Sequence, residues 1–260
     1  MRDGWQQRID RASALAATAD ATRPLLESYG RLLVLQRDCY AALDRQADRL
    51  SGSLERDLTV VAACVPPILA DLAATGPPSL AEDAKRTLDA GESSIASMLV
   101  AGWRAPSDRA FFARIVLQPY ASWLAARGVA LVDRDLPRHD NVCPFCGGRP
   151  QVSILQHAPE GEGGGRELQC GTCFTTWPYR RVRCARCGED NERQLGYFRS
   201  DAFAHLRIDA CETCRHYVKS VDLTRLGLAV PIVDEVAGAP LDLWAQERGY
   251  EKIELNLVGL

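Results

Sequence analysis

Four pairs of cysteines stand out: CPFCG at Cys143–Gly147, CGTC at Cys170–Cys173, CARCG at Cys184–Gly188 and CETC at Cys211–Cys214. Two residues between cysteines allow a tight turn to point both sulfurs at one ion, and two such turns complete a tetrahedron. The spacing carries a second message. Cys143 and Cys184, Cys146 and Cys187, Cys170 and Cys211, and Cys173 and Cys214 are each 41 residues apart. One module is duplicated in tandem.

The chemistry that fits is a pair of four-thiolate metal sites. The tandem offset favours Cys143/Cys146 with Cys170/Cys173, and Cys184/Cys187 with Cys211/Cys214; an interleaved pairing of the first turn with the third fits a duplication less well. Gly147 and Gly188 supply the positive φ that aims backbone N–H groups at sulfur. Disulfides are a competing reading, but CxxC pairs in a reducing compartment more often bind metal. Thioredoxin-like exchange needs one CxxC at a helix N-terminus, not four in a ribbon. Zinc and iron both accept four thiolates, so the ligands do not name the metal. His216 stands two residues after Cys214 and could replace a ligand, but with four cysteines present it reads rather as a surface group or a neighbour of the site. His139, His157 and His205 show no ligand spacing.

Short strands must carry these turns. Val152–Leu155, Glu167–Gln169, Gln194–Phe198 and Leu206–Asp209 fit an antiparallel ribbon in each repeat, the first folded around a loop at Gly161–Gly165. A unit of about 40 residues buries too little to stand alone and needs a metal or disulfides.

Before the ribbons the pattern is helical. Leu25, Leu26, Tyr29, Leu32, Leu33, Cys39, Tyr40, Leu43, Ala47 and Leu50 fall on a 3.6-residue stripe after Pro24. Ser53 is a candidate cap for a helix bent at Pro66-Pro67, and Ser79 to Glu82 reads as a capping box. Ser107 is a candidate cap for a last helix, kinked at Pro119 and ended by Gly128. Cys39 and Cys64 sit on apolar faces and read as core. A polar linker, residues 133–141, follows. Pro240 opens a final helix ending at Gly249, with Leu243 and Trp244 as its packing residues; Ile253, Leu255 and Leu257 then alternate as a strand. The expected fold class is α+β: an N-terminal α-helical domain (1–135), two tandem rubredoxin-like or zinc-ribbon-like four-cysteine modules (140–180 and 181–222), and a C-terminal helix and strand (223–260).

Composition narrows the function. The 260 residues carry a net charge of −3, with 47% hydrophobic and 25% charged residues, an ordinary globular balance. Residues 140–220 hold 11 Lys+Arg against 10 Asp+Glu, which is not the footprint of a nucleic-acid ribbon. The first 20 residues mix Arg2, Asp3, Arg8, Asp10 and Arg11 without an apolar run, and Val60–Ala70 is too short to span a bilayer. The expectation is a cytoplasmic chain inserted in no membrane. Arg180, Arg181, Arg183 and Arg186 cluster between the two modules. They read equally as a solvated turn and as a docking surface for an acidic or extended partner, with Arg180, Arg181 and Arg183 the candidate partner-binding residues. No nucleophile–base pair or phosphate loop is recognisable, so the chain reads as a non-enzyme.

CPFCGGRP (Cys143–Pro150), LQCGTCFTTWPYRRVRCARCG (Leu168–Gly188), CETCRHYVKSVD (Cys211–Asp222) and VDEVAGAPLDLWAQERGY (Val233–Tyr250) together resemble the formate dehydrogenase accessory protein (FdhE) family. The resemblance covers about 110 residues; the helical half matches only in character. It implies a cytoplasmic maturation factor that engages the formate dehydrogenase catalytic subunit, with two rubredoxin-like sites and iron the usual ion. Val233-Asp234-Glu235 departs from the two adjacent aspartates usual in the family, and reads here as a solvated helix start. A rubredoxin-like electron-transfer module serving the same enzyme is the alternative, and a nucleic-acid-binding zinc ribbon a weaker third.

The common 41-residue offset predicts two metal ions per chain, iron or zinc, bound by all eight paired cysteines. Elemental analysis of anaerobically purified protein should give two equivalents, and a thiol assay of the native protein should find those eight cysteines protected. One ion, or eight freely reactive thiols, would count against the pattern.

Overall fold

The computed structural model describes residues 2–104, 110–133, 139–157 and 164–260. Nine α-helices and seven strands occur among them. The helices are α1 (Arg2–Thr18), α2 (Arg23–Asp44), α3 (Leu54–Ala62), α4 (Val65–Thr75), α5 (Pro78–Asp89), α6 (Gly91–Arg104) and α7 (Phe111–Arg127), then α8 (Pro231–Ala237) and α9 (Ala239–Glu247). The strands are β1 (Pro150–His157), β2 (Gly164–Cys170), β3 (Thr176–Pro178), β4 (Leu195–Arg199), β5 (Leu206–Cys211), β6 (His216–Asp222) and β7 (Glu251–Lys252). This is the α+β order that the sequence predicts. No single described helix is long and apolar enough to cross a membrane.

The chain divides into two compact units. Val34–Asp135, with the first two residues, makes the helical one, and Asp3–Leu33 groups with Leu136–Leu260 in the other. The sequence reading assigns 1–135 to a single domain; long-range polar contacts place α1 and the start of α2 with the sheet instead.

In the helical unit, α3, α4, α6 and α7 bury Leu54, Val61, Val65, Ile68, Leu69, Leu99, Ile115 and Trp123. Cys39 and Cys64 are buried there, as the apolar stripe predicts. The caps differ in detail. Ser53 occupies the N-cap of α3 without bonding through its side chain; Asp133 accepts from Leu54 N at 2.7 Å instead. Buried Asp57 collects Ser51 N at 2.8 Å, Gly52 N at 3.1 Å and the Tyr120 hydroxyl at 2.7 Å, so one carboxylate does the work given to a serine. The helix assigned to Ser79 starts at Pro78, because proline's fixed φ suits the first helical position. Pro66 and Pro67 lie within α4, and the break falls before them, at Ala63–Cys64. Pro119 lies inside a continuous α7, and Gly128 ends it at φ 65°. Ser107 lies outside the described residues.

In the sheet unit, the two modules expected at 140–180 and 181–222 form one sheet. Its order is β3-β2-β1-β6-β5-β4, with β7 paired to β6. β1, β2 and β3 form one antiparallel meander, and β4, β5 and β6 the second copy. The copies lie edge to edge in the same sense, so β1 and β6 pair in parallel, from Val152 opposite Lys219 to Leu155 opposite Asp222. The strands predicted for β1, β2, β4 and β5 are present. The strand predicted at Ile253–Leu257 does not form; β7 ends just before it, and the Asn256 side chain accepts from Val258 N at 3.1 Å and Leu260 N at 3.0 Å and turns the chain. On α9, Trp244 packs on Phe198 with ring centroids 4.8 Å apart, whereas Leu243 is exposed.

Helices α8 and α9 bring acids to this sheet. Asp234 and Glu235 are fully buried, a correction to the solvated helix start expected from sequence. Glu235 lies 3.3 Å from Lys219 Nζ and also pairs with Lys252; Asp242 pairs with Lys219 and lies 3.3 Å from Lys252. Two cations and two anions thus neutralise each other out of water, as buried charges must. Asp234 accepts two bonds from Arg11 of α1, the one from Nε at 2.9 Å, one from Val230 N at 2.8 Å, and contacts His205 Nε2 at 2.9 Å. Burial alone would raise its pKa; the hydrogen bonds from Arg11, His205 and Val230 outweigh it and hold the carboxyl below the usual range.

Replacing Arg11 by Ala leaves a buried carboxylate short of its main partner, and should cost about 3 kcal/mol at pH 7. A depressed pKa contributes stability that is present above the unfolded value of about 3.9 and lost as pH falls through the lower folded value. Urea unfolding should therefore show Arg11→Ala and wild type far apart at pH 7 and converging only below about pH 4. Equal midpoints at pH 7 would remove this contact from the account.

Candidate metal centres

Each repeat places one CxxC before its first strand and one between its second and third. Cys143, Cys146, Cys170 and Cys173 form one group and Cys184, Cys187, Cys211 and Cys214 the other, all four sulfurs of each within 4.8 Å of one another. This is the tandem grouping, not the interleaved one.

Backbone hydrogen bonds shape the turns. Gly147 N donates to Cys143 O at 2.9 Å, and Gly188 N to Cys184 O at 3.0 Å. Both glycines take positive φ, 70° and 80°. The trailing turns repeat the device with residues that pattern reading does not flag: Phe174 has φ 62° and Arg215 has φ 57°, again 41 positions apart. A left-handed non-glycine residue costs about 1–2 kcal/mol, so each needs compensation. Phe174 packs edge-on against Trp5, centroids 5.8 Å apart, with the Arg8 guanidinium 4.0 Å from its ring. Arg215 lies 4.0 Å from the Tyr250 ring and donates to Arg248 O at 2.5 Å.

The sulfur distances suit a tetrahedral ion. Cys143–Cys173 is 3.5 Å and Cys146–Cys170 is 3.4 Å; Cys184–Cys214 is 3.7 Å and Cys187–Cys211 is 3.8 Å. A metal–sulfur bond of about 2.3 Å gives tetrahedral edges of about 3.8 Å, and a disulfide would need about 2.05 Å. Electrostatics agree. Burial first, then hydrogen bonds with the other three cysteines, pushes Cys170 well up. Burial, with repulsion from Cys211 and Cys187, pushes Cys184 up to about 11. Four converging thiols cannot all ionise without a counter-charge, and a divalent cation supplies one. Both groups could hold a metal ion.

The neighbouring residues divide. His216 bonds Cys214 O through Nδ1 at 2.6 Å and lies 3.6 Å from Glu251, so it stands beside the second group. His205 pairs with Asp234, and His139 and His157 are exposed. Of the arginines between the repeats, Arg180 and Arg181 are exposed. Arg183 is engaged: it reaches Asp140 at 2.5 Å and Gly188 O at 3.2 Å. Arg186 lends its carbonyl to Asn141 Nδ2 at 2.7 Å. The residue that sequence reading missed is Arg166. Buried on β2, it donates to the carbonyls of Arg180, Arg181 and Arg183 at 3.2, 3.3 and 2.8 Å, and its Nη2 lies 3.2 Å from Asp209 of the second repeat. A lone arginine in a polar strand carries no signal of that reach.

The descriptions "FdhE, central domain" and "FdhE, C-terminal domain" match residues 142–181 and 182–258. Residues 142–258 belong to the FdhE family. The seam between the two matches falls between the two cysteine groups. A Protein FdhE homolog of Aquifex aeolicus is 42% identical over 119 residues, 46% of this chain and 42% of that protein. One from Edwardsiella ictaluri is 30% identical over 171 residues, 64% of this chain and 54% of that protein. The chain spans about half the length of the curated relatives it matches. The crystal structure of the FdhE protein from Pseudomonas aeruginosa matches 99% of this chain and 96% of its own, with a TM-score of 0.72 at 20% identity, and so shares the fold.

Gly148 gives the first group a specific test. A Cβ there would stand 2.9 Å from Cys170 Sγ, closer than a side chain tolerates, and 3.2 Å from Cys146 Sγ, a tight contact. Gly148→Ala should displace those sulfurs and lower bound metal from two ions to one, the second group keeping its own. Unchanged stoichiometry and thiol protection would show that the turn yields without cost.

Proposed function

We propose that the chain is a non-catalytic accessory factor of formate dehydrogenase that binds the enzyme's catalytic subunit in the cytoplasm. Its cysteines Cys143, Cys146, Cys170, Cys173, Cys184, Cys187, Cys211 and Cys214 are the ligands of two metal ions, iron or zinc. The observation that carries this is the FdhE family match laid directly over both four-sulfur groups. When bound, the ions supply the positive charge that lets buried thiolates coexist. The chain's own residues do the rest: four turns and Arg166 fix the 180–183 segment at constant geometry, which lowers the ordering cost of holding a partner. Arg180 and Arg181 are the exposed charges on that segment, and Arg183 is tied to Asp140 and Gly188.

Arg180→Ala together with Arg181→Ala should leave metal content and folding intact, since exposed substitutions usually cost within about 0.5 kcal/mol each. Co-purification with the formate dehydrogenase catalytic subunit should weaken, and most at low salt, where charge attraction is least screened. Full capture by the double variant would remove these arginines from the surface. No capture by wild type would remove the accessory reading. Capture that persists while enzyme activity fails only after exchange to zinc would favour an electron-transfer module, because zinc has no redox chemistry.

A further inference from the structure

The two groups have the same four ligands at the same spacing, yet their surroundings differ. Cys143, Cys146, Cys170 and Cys173 are 0%, 1%, 0% and 3% exposed. In the second group Cys184 and Cys211 are buried, Cys214 is half-buried, and Cys187 is exposed. We propose that the second centre is the exchangeable one, with Cys187 the ligand through which a small thiol reaches its ion.

Three features separate the sites. Gly148 closes the first group from below, its missing side chain leaving the backbone against the sulfurs. The residue 41 positions later is Glu189, which puts no bare backbone against the sulfurs; its carboxylate instead accepts from Thr213 Oγ1 of the trailing turn at 2.7 Å and from Asn191 N at 3.0 Å. Trp5 and Arg8 of α1 cover the trailing turn of the first group at Phe174. In the second group Tyr250 covers the corresponding turn at Arg215, and the leading turn keeps Cys187 in solvent. The shell around a metal site controls solvent access, and a thiolate's reactivity follows its exposure. An incoming thiolate can therefore meet the second ion where it cannot meet the first. In that exchange one metal–sulfur bond forms to the incoming thiolate, the bond to Cys187 breaks, and the released Cys187 sulfur takes a proton from water.

The inference rests on both groups holding ions, and the starting ion count separates the two ideas. Native full-length protein, shown first to hold two ions, is incubated with glutathione and EDTA, and sampled with iodoacetamide. Released metal is followed in parallel with the alkylated positions by mass spectrometry. One ion should leave roughly tenfold faster than the other, with Cys187 alkylated first and Cys143, Cys146, Cys170 and Cys173 still protected. Cys187→Ser should retain one ion, with those four cysteines shielded. If that variant fails to fold, the wild-type time course decides alone. Both ions leaving together, or the first group being alkylated first, would overturn the proposal. A starting count below two would overturn the two-ion reading and this proposal with it.

Discussion

The parallel pairing of β1 with β6 is the contact on which the sheet unit depends. Each repeat alone is a three-stranded meander with two free edges, and strands of 3–8 residues give it little apolar face to bury. Laying the first strand of one copy against the third strand of the other pairs one edge of each, leaving β3 and β4 at the ends of the sheet. It also places Lys219, at the start of that pairing, fully out of water. A buried ammonium needs carboxylates, and α8 and α9 deliver Glu235 and Asp242 to it. The C-terminal helices are thus held by charge as well as by the apolar contacts of Ile232, Val233 and Val236. A charge that remains partnered only in one arrangement also fixes where those helices sit on the sheet.

Periodic information was legible in the sequence. The 41-residue offset gave the grouping of sulfurs, and local alternation gave β1, β2, β4 and β5. Gly147, Gly188 and Gly128 announce positive φ by residue type, and all three adopt it. Phe174 and Arg215 adopt it too, but nothing in their chemistry says so. Their conformation is forced by the need to close a sulfur turn, then compensated by Trp5 and Tyr250 from elsewhere in the chain. Such positions become visible only by asking what stands 41 residues from a residue already known to be unusual.

The less legible part is the long-range polar chemistry. Asp234 and Glu235 look like a solvated helix start because acids commonly occupy the first turn. Their partners are Arg11, 223 residues away in sequence for Asp234, and Lys219 and Lys252 for Glu235. No local window contains them. The same holds for Arg166, which joins β2 to the 180–183 carbonyls and to Asp209. The cap at Ser53 is of the same kind: Asp57 and Asp133 take the backbone N–H groups there, because a carboxylate can accept several where a hydroxyl satisfies one.

Duplication explains why the two sulfur groups agree, and folding explains why they diverge. Ligand type is set by the CxxC turns, which bring four cysteine sulfurs together in both copies. What differs comes partly from outside each repeat, α1 against one trailing turn and Tyr250 against the other, and partly from within it, glycine or glutamate after the leading turn. In chain order, the second leading turn follows the arginine segment held by Arg166, which the first lacks. Two sites of common origin thereby acquire different access to solvent without any change in the atoms that would touch the ion.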